Sequence, residues 1–326
     1  MNRSHRLSAA GFLVVALALA ACSSTAPDES DGSRYPLTVE NCGTEIEIEQ
    51  APERVVLLTG TDVSFLAELG VLDRVVGKAG AYQEEYHDDQ VNAKVKRIRE
   101  LSSTLDETAT LQISDEVIFG AEPDLVLDAV PTGRVDTLGD LGVPVLNDEA
   151  MCPEGLADPG FDDVYDQMET YGRVFDAEDE AKKSIARLKD RVAAVEESVP
   201  EAESRTAAVL YPVVGGAPRA YGNRSMAGAV IEAAGFTNVY DDLDERRAEI
   251  SVEDLIDRDP DVLILLHVEG SDEQTEKALT SLPGADRLTA VREDEMMTLL
   301  FNFAEPPTPL AVDGLERITD RFAESG

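Results

Sequence analysis

Two stretches of this chain, SDEVIFGAEPDLVLD starting at Ser114 and SVEDLIDRDPDVLIL starting at Ser251, align at a fixed offset of 137 residues. They coincide at Ser114/Ser251, Glu116/Glu253, Pro123/Pro260 and Asp124/Asp261, with apolar residues opposed near both ends. Each copy reads as a Ser-capped helix, a Pro-Asp break and then a buried strand. An internal repeat constrains architecture before any single residue does. One such phrase in each half predicts two lobes built from the same helix-then-strand unit.

The flanking sequence extends that unit. Val55 to Leu58 is a short apolar run, and DVSFLAELG follows with helical spacing at Val63, Leu66 and Leu69 before Gly70. Val75-Val76-Gly77 and Leu125-Val126-Leu127 start further strands, and TLGDLGVPVLN repeats helix end, Gly turn and strand. The middle changes character. Ala181, Ile185, Leu188, Val192, Val195 and Val199 step by four and three with charged residues between them. That spacing predicts one amphipathic helix over residues 177–199, about 34 Å long, closed by Pro200. Beyond it the pattern restarts with a strand over 206–211, a helix ending at Gly235, a strand over 262–266, a late strand in MMTLLF and a final helix. The expected fold class is α/β: two α/β lobes joined by one long interdomain α-helix.

The N-terminus addresses the chain. Arg3, His5 and Arg6 precede a short apolar run from Gly11 to Ala20, too short to span a bilayer comfortably and laid out like a secretory signal peptide. It ends in Leu19-Ala20-Ala21-Cys22, which resembles a bacterial lipobox. The expected boundaries are a lipoprotein signal peptide over 1–21, a flexible tether over 22–34, an N-terminal lobe over 35–160, a connecting helical segment over 161–200 and a C-terminal lobe over 201–326. Cys22 is the expected lipidation site, anchoring the protein to the outer face of the cell membrane through its acyl chains. Cys42 and Cys152 then remain as an expected disulfide in an oxidising compartment, the alternative being two free thiols. The formal net charge of −38 excludes nucleic acid as a partner, because phosphate binding needs clustered Lys and Arg. Acids spread over a surface read first as a solubility or salt adaptation.

Catalytic signatures are missing. The sequence has no HExxH, GxSxG, P-loop or GxGxxG pattern and only three His residues, so no enzyme, resident cofactor or protein metal site is expected. In their place stand five segments in order: PERVVLLTGTDVSFLAELGVLDRVVG, DEVIFGAEPDLVL, GRVFDAEDEAKKSIARLKDRV, NRSMAGAVIEAAGFTNVY and ISVEDLIDRDPDVLIL. The ordered set resembles the periplasmic binding proteins that deliver ferric siderophores, haem or cobalamin to ABC importers, and it covers nearly all of the chain after the leader. The resemblance implies two Rossmann-like lobes bridged by a long helix, a ligand in the cleft, and a monomer that docks on a permease dimer through one exposed Glu per lobe. Those glutamates match Glu116 and Glu253, with Asp115 and Asp254 as neighbours able to share the role. Ligands of open α/β sheets bind beyond the carboxyl ends of strands, which nominates Thr61, Tyr82, Tyr86, Arg134, Arg224, Phe301 and Phe303 as ligand contacts. Aromatic rings press on a chelate or macrocycle, and guanidinium groups pair with anionic oxygens. A ferric siderophore chelate is the expected ligand. Haem, with Tyr82, Tyr86 or His87 as axial candidates, or cobalamin is the alternative, and a sensor or adhesin lipoprotein is the competing class.

Overall fold

The chain enters its first sheet through a small hairpin. Strands β1 (Leu37–Asn41) and β2 (Thr44–Ile48) pair antiparallel around Cys42 and Gly43, whose φ values of 51° and 74° give the type I′ turn that matches strand twist. Asn41 locks this hairpin to the first lobe, donating to the Asn147 carbonyl at 2.9 Å and accepting from the Asn147 N–H at 2.7 Å. Cys42 is disulfide-bonded to Cys152, with Cα atoms 5.3 Å apart. The computed structural model describes residues 34–104, 111–128, 133–199, 205–268 and 270–323, and Tyr35–Gly326 forms one compact unit. The expected signal peptide and Cys22 lie outside the described residues, as do nearly all of the tether.

The first lobe alternates β3 (Val55–Leu57), α1 (Val63–Glu68), β4 (Val75–Ala79), α2 (Asp89–Val95), β5 (Glu100–Ser102), α3 (Asp115–Phe119), β6 (Leu125–Asp128), α4 (Arg134–Gly139) and β7 (Val145–Asn147). Its sheet is wholly parallel in the order β5-β4-β3-β6-β7, the doubly wound arrangement whose winding reverses between β3 and β6. Two helices follow, α5 (Phe161–Val174) and α6 (Glu178–Ser198), so the connecting segment is a helical pair. They cross tightly: a Cβ on Gly172 would stand 2.6 Å from the Ala181 Cβ.

In the second lobe β8 (Thr206–Tyr211), β9 (Arg219–Tyr221), α7 (Met226–Ala233), β10 (Thr237–Asn238), β11 (Arg247–Glu249), α8 (Val252–Arg258), β12 (Val262–His267), α9 (Asp272–Thr280), α10 (Thr289–Arg292), β13 (Met296–Leu300) and α11 (Pro309–Ala323) follow in turn. The sheet runs β11-β9-β8-β12-β13, with β10 also on β8. It is parallel at β8, β10, β12 and β13 and antiparallel at β9 and β11.

Helix α6 holds both lobes. It buries Ala181, Ser184, Leu188, Val192 and Val195. On the first lobe its Ser184 hydroxyl donates to Glu68 at 2.5 Å, and Arg187 pairs with the same carboxylate. On the second, Arg191 reaches Asp313 at 2.5 Å and Glu316 at 2.6 Å. One apolar cluster runs from Val63 and Leu66 through Leu188 to Leu315. A shared close-packed core opposes relative motion of the lobes.

The repeated phrase has a structural meaning. Glu122 and Asp259, again 137 apart, both take left-handed φ values, 52° and 37°, and each leads into Pro-Asp. The Asp124 carboxylate then accepts from the N–H groups of Glu53 and Arg54 at 2.9 and 2.8 Å. Asp261 accepts from the N–H and hydroxyl of Thr206, both at 2.8 Å. In each lobe this aspartate ties the entry of one central strand to the entry of its parallel neighbour, β6 to β3 and β12 to β8.

Candidate functional site

The reversal of winding between β3 and β6 places a crevice beyond their carboxyl ends, and acidic residues gather there. After β3, Thr59 and Thr61 share a hydroxyl contact of 2.8 Å, and Asp62, 4% exposed, accepts from the Tyr171 hydroxyl of α5 at 2.8 Å. Burial lifts the Asp62 carboxyl from 3.8 to about 7; the Tyr171 bond opposes the shift and Asp128 adds to it. After β7, Asp148 accepts from the Ala150 N–H at 3.0 Å. Burial, reinforced by Asp62, lifts its pKa to about 8. These carboxylates line a cavity of about 90 Å³ together with Glu149, Asp163, Tyr171 and Pro307 of the second lobe.

The second lobe contributes a buried ion pair. Glu305, 1% exposed, accepts from Arg246 Nε at 2.7 Å and from the Ala227 N–H at 3.2 Å. Burial raises its pKa and Arg246 pulls it back. Arg246 also sits 5.9 Å from the centre of the Phe301 ring and contributes to the electrostatics of Asp148 across the cleft.

Direct hydrogen bonds lace the lobes together. Gln83 donates to the Val268 carbonyl at 2.9 Å, and the Asn302 N–H donates to the Tyr86 hydroxyl at 3.0 Å. Arg224 donates to the carbonyls of Leu156 at 3.3 Å and Glu154 at 3.0 Å. A larger cavity, about 740 Å³, runs from Gln83 and Glu85 past His267 and along β13 to Arg317.

The residues nominated from the sequence divide accordingly. Tyr82 and Tyr86 sit in one loop; the Tyr82 hydroxyl donates toward the carbonyls of Leu57 and Thr59 at 3.3 and 3.2 Å, and the Tyr86 ring meets the Phe303 ring edge-on at 5.2 Å. Phe301 stands half-buried beside Arg246. Thr61, Phe303 and Arg134 are, like Arg224, already engaged by the protein. Thr61 is bonded to Thr59. Phe303, 3% exposed, packs under the Arg317 guanidinium at 4.3 Å. Arg134 spans Asp115 at 3.2 Å, Asp128 at 3.0 Å and the Ile113 carbonyl at 3.2 Å. Asp62, Asp148, Tyr171, Arg246 and Glu305, which also border the crevice, are not among the residues nominated from the sequence. His87 is depressed below the ordinary histidine range by burial. Among the described residues no group of three or more His, Cys, Asp or Glu is placed to hold a metal ion.

Glu116 and Glu253 both stand exposed in the first turns of matched helices. Their neighbours are occupied: Asp115 by Arg134 and by Thr137 at 3.0 Å, and Asp254 by Arg258 at 3.3 Å. The Ser114 hydroxyl bonds the Glu116 carboxylate and holds its pKa below the usual range.

This two-lobed arrangement has known counterparts. A model of periplasmic binding proteins matches residues 55–301, well over half of the chain. The chain belongs to the periplasmic binding protein family. Among solved structures, this binding protein is similar to an ABC-type Fe3+-hydroxamate transport system from Saccharomonospora viridis, with 51% identity, a TM-score of 0.82, and coverage of 88% of this chain and 99% of that one. A cobalamin-binding protein from Halobacterium salinarum is 27% identical over 98% of this chain and 85% of its own length. A periplasmic heme-binding protein from Roseiflexus shares the fold at 20% identity and a TM-score of 0.66, covering 84% of this chain and 98% of that one. No described helix of the binding protein is long and apolar enough to cross a membrane.

Proposed function

We propose that this binding protein captures a ferric siderophore in the cleft between its lobes and delivers it to an ABC importer, held at the outer face of the membrane through acylated Cys22. The observation that carries the reading is the 51% identity, over 88% of the chain, with a structure described as an ABC-type Fe3+-hydroxamate transport system. The two exposed acids at matched positions, Glu116 and Glu253, are the docking points for the two permease subunits. The core that the two lobes share keeps their separation fixed, as seating across a dimer requires. Cobalamin is the second reading, favoured by the relative from Halobacterium salinarum that aligns over 98% of this chain.

Uptake of radiolabelled iron as a ferric hydroxamate, in cells carrying Glu116→Ala/Glu253→Ala, tests delivery. Transport should fall by about tenfold or more while affinity of the purified protein for the chelate stays within about twofold, as expected when only a partner contact is cut. Undiminished uptake removes the docking role and points instead to a sensor or adhesin.

A further inference from the structure

In a chain of formal charge −38, one cavity is rich in cations. It encloses about 120 Å³ beside Tyr82 and Tyr86, and its lining takes in Lys78, Lys96 and His87 from the first lobe and Asn302 from the second. Glu84 is the carboxylate among its described lining residues, and it is paired with Lys96 at 2.7 Å. Lys78 is left over. It shares the half-buried face of β4 with Val76, and its side chain is only 13% exposed, a setting in which lysines are normally paired. Its carboxylate contact is Glu100 at 4.0 Å, itself 57% exposed and beyond hydrogen-bond reach. The ammonium stands 4.5 Å from the centre of the Tyr82 ring, a contact that attracts the charge but accepts none of its three N–H donors in a hydrogen bond. Among the described residues it finds no hydrogen-bond acceptor. The cavity wall is fixed. Asn92 donates to the carbonyls of Glu84 and His87 at 2.8 and 2.9 Å. The Tyr86 hydroxyl accepts from the Asn302 N–H at 3.0 Å, which leaves its own proton to give.

We propose that this cavity is a subsite for a small oxyanion, a carboxylate or phosphate group, held by the Lys78 ammonium with the Tyr86 hydroxyl as second donor. A largely buried ammonium without an acceptor is costly, and an anionic oxygen removes that cost while adding a charge-assisted hydrogen bond. Size sets the class of occupant. About 120 Å³ is the liquid volume of about four waters, room for one such group and far below what a whole chelate needs. The group either arrives as a free ion or hangs from the ligand in the cleft, which Tyr82 and Tyr86 are also nominated to touch. The first source is independent of the siderophore reading above, and the second rests on it.

Two measurements on the purified protein, its Lys78→Met variant and a charge-keeping Lys78→Arg variant separate the sources. For the free ion, sodium phosphate, sulfate or acetate should raise the wild-type thermal midpoint by about 2 °C or more over sodium chloride of equal ionic strength. Lys78→Met should lose that gain and Lys78→Arg keep most of it; a gain common to all three proteins is general salt exclusion and counts against the site. For the ligand arm, calorimetry compares N-succinyl with N-acetyl ferrioxamine B, which differ by one terminal carboxylate. The succinyl form should bind wild type about tenfold tighter, and the two should come within about twofold in Lys78→Met. Either result supports the subsite and names its source. No Lys78-dependent oxyanion effect and no advantage for the carboxylate overturn it, leaving a cavity that takes water only. In that case tight binding of both chelates keeps the siderophore reading standing, whereas an oxyanion effect with neither chelate bound keeps the subsite and removes that reading.

Discussion

Asp62 is nearly sealed from water and accepts from the Tyr171 hydroxyl, so its proton affinity differs sharply between the folded and unfolded chain. Folded, its pKa is about 7; in the unfolded chain it returns to 3.8. Between those values the folded state binds the extra proton, so stability declines as pH rises through this window, and Asp148, lifted to about 8, extends the decline. Asp62→Asn retains an acceptor for Tyr171 and removes the ionisation. It should be more stable than wild type at about pH 8 by at least on the order of 1 kcal/mol, with the advantage shrinking toward about pH 4. Urea midpoints across that range would show it, and an advantage that did not vary with pH would sink the idea. At this scale the sequence was only partly readable. The loop after β3 was identifiable from strand grammar, but the burial of Asp62 there depends on Tyr171, 109 residues away. The Arg246–Glu305 pair, 59 residues apart, leaves no local pattern at all.

Elements with strong periodicity were legible, and short ones were not. The helix expected over 177–199 is Glu178–Ser198, because a stripe of six apolar residues defines both its face and its length. Strands β9 and β11 have three residues each, too few for alternation to register, so the antiparallel side of the second sheet could not be foreseen. The matched helices α3 and α8 also begin differently despite the shared serine. Ser251 Oγ accepts from the Asp254 N–H at 3.0 Å, whereas Ser114 makes no cap bond and turns to Glu116. Ser251→Ala should therefore cost about 1 kcal/mol of stability. Ser114→Ala should cost clearly less in thermal denaturation while moving the Glu116 carboxylate up toward its ordinary pKa in an NMR titration. Equal losses from the two substitutions would mean that both serines act only as caps.

Over the whole molecule, −38 of formal charge sets a background of self-repulsion against which every local contact works. Because exposed charges beyond about 10 Å are screened at moderate ionic strength, the thermal midpoint should climb by several degrees as NaCl is raised from low millimolar to molar concentration. A midpoint insensitive to salt would show that the surface acids are neutralised within the fold. The architecture that bears this charge was the most legible level, since a phrase repeated at a fixed offset announces two lobes before any residue is assigned a role. The disulfide adds a temporal dimension. Cys42 lies at the tip of the first hairpin and Cys152 beyond the last strand of the first sheet, 110 residues later, so the earlier thiol has no partner until every strand between them has been made. The bridge therefore encircles every strand of the first sheet, and by closing so long a loop it takes more freedom from the unfolded chain than a local bridge would.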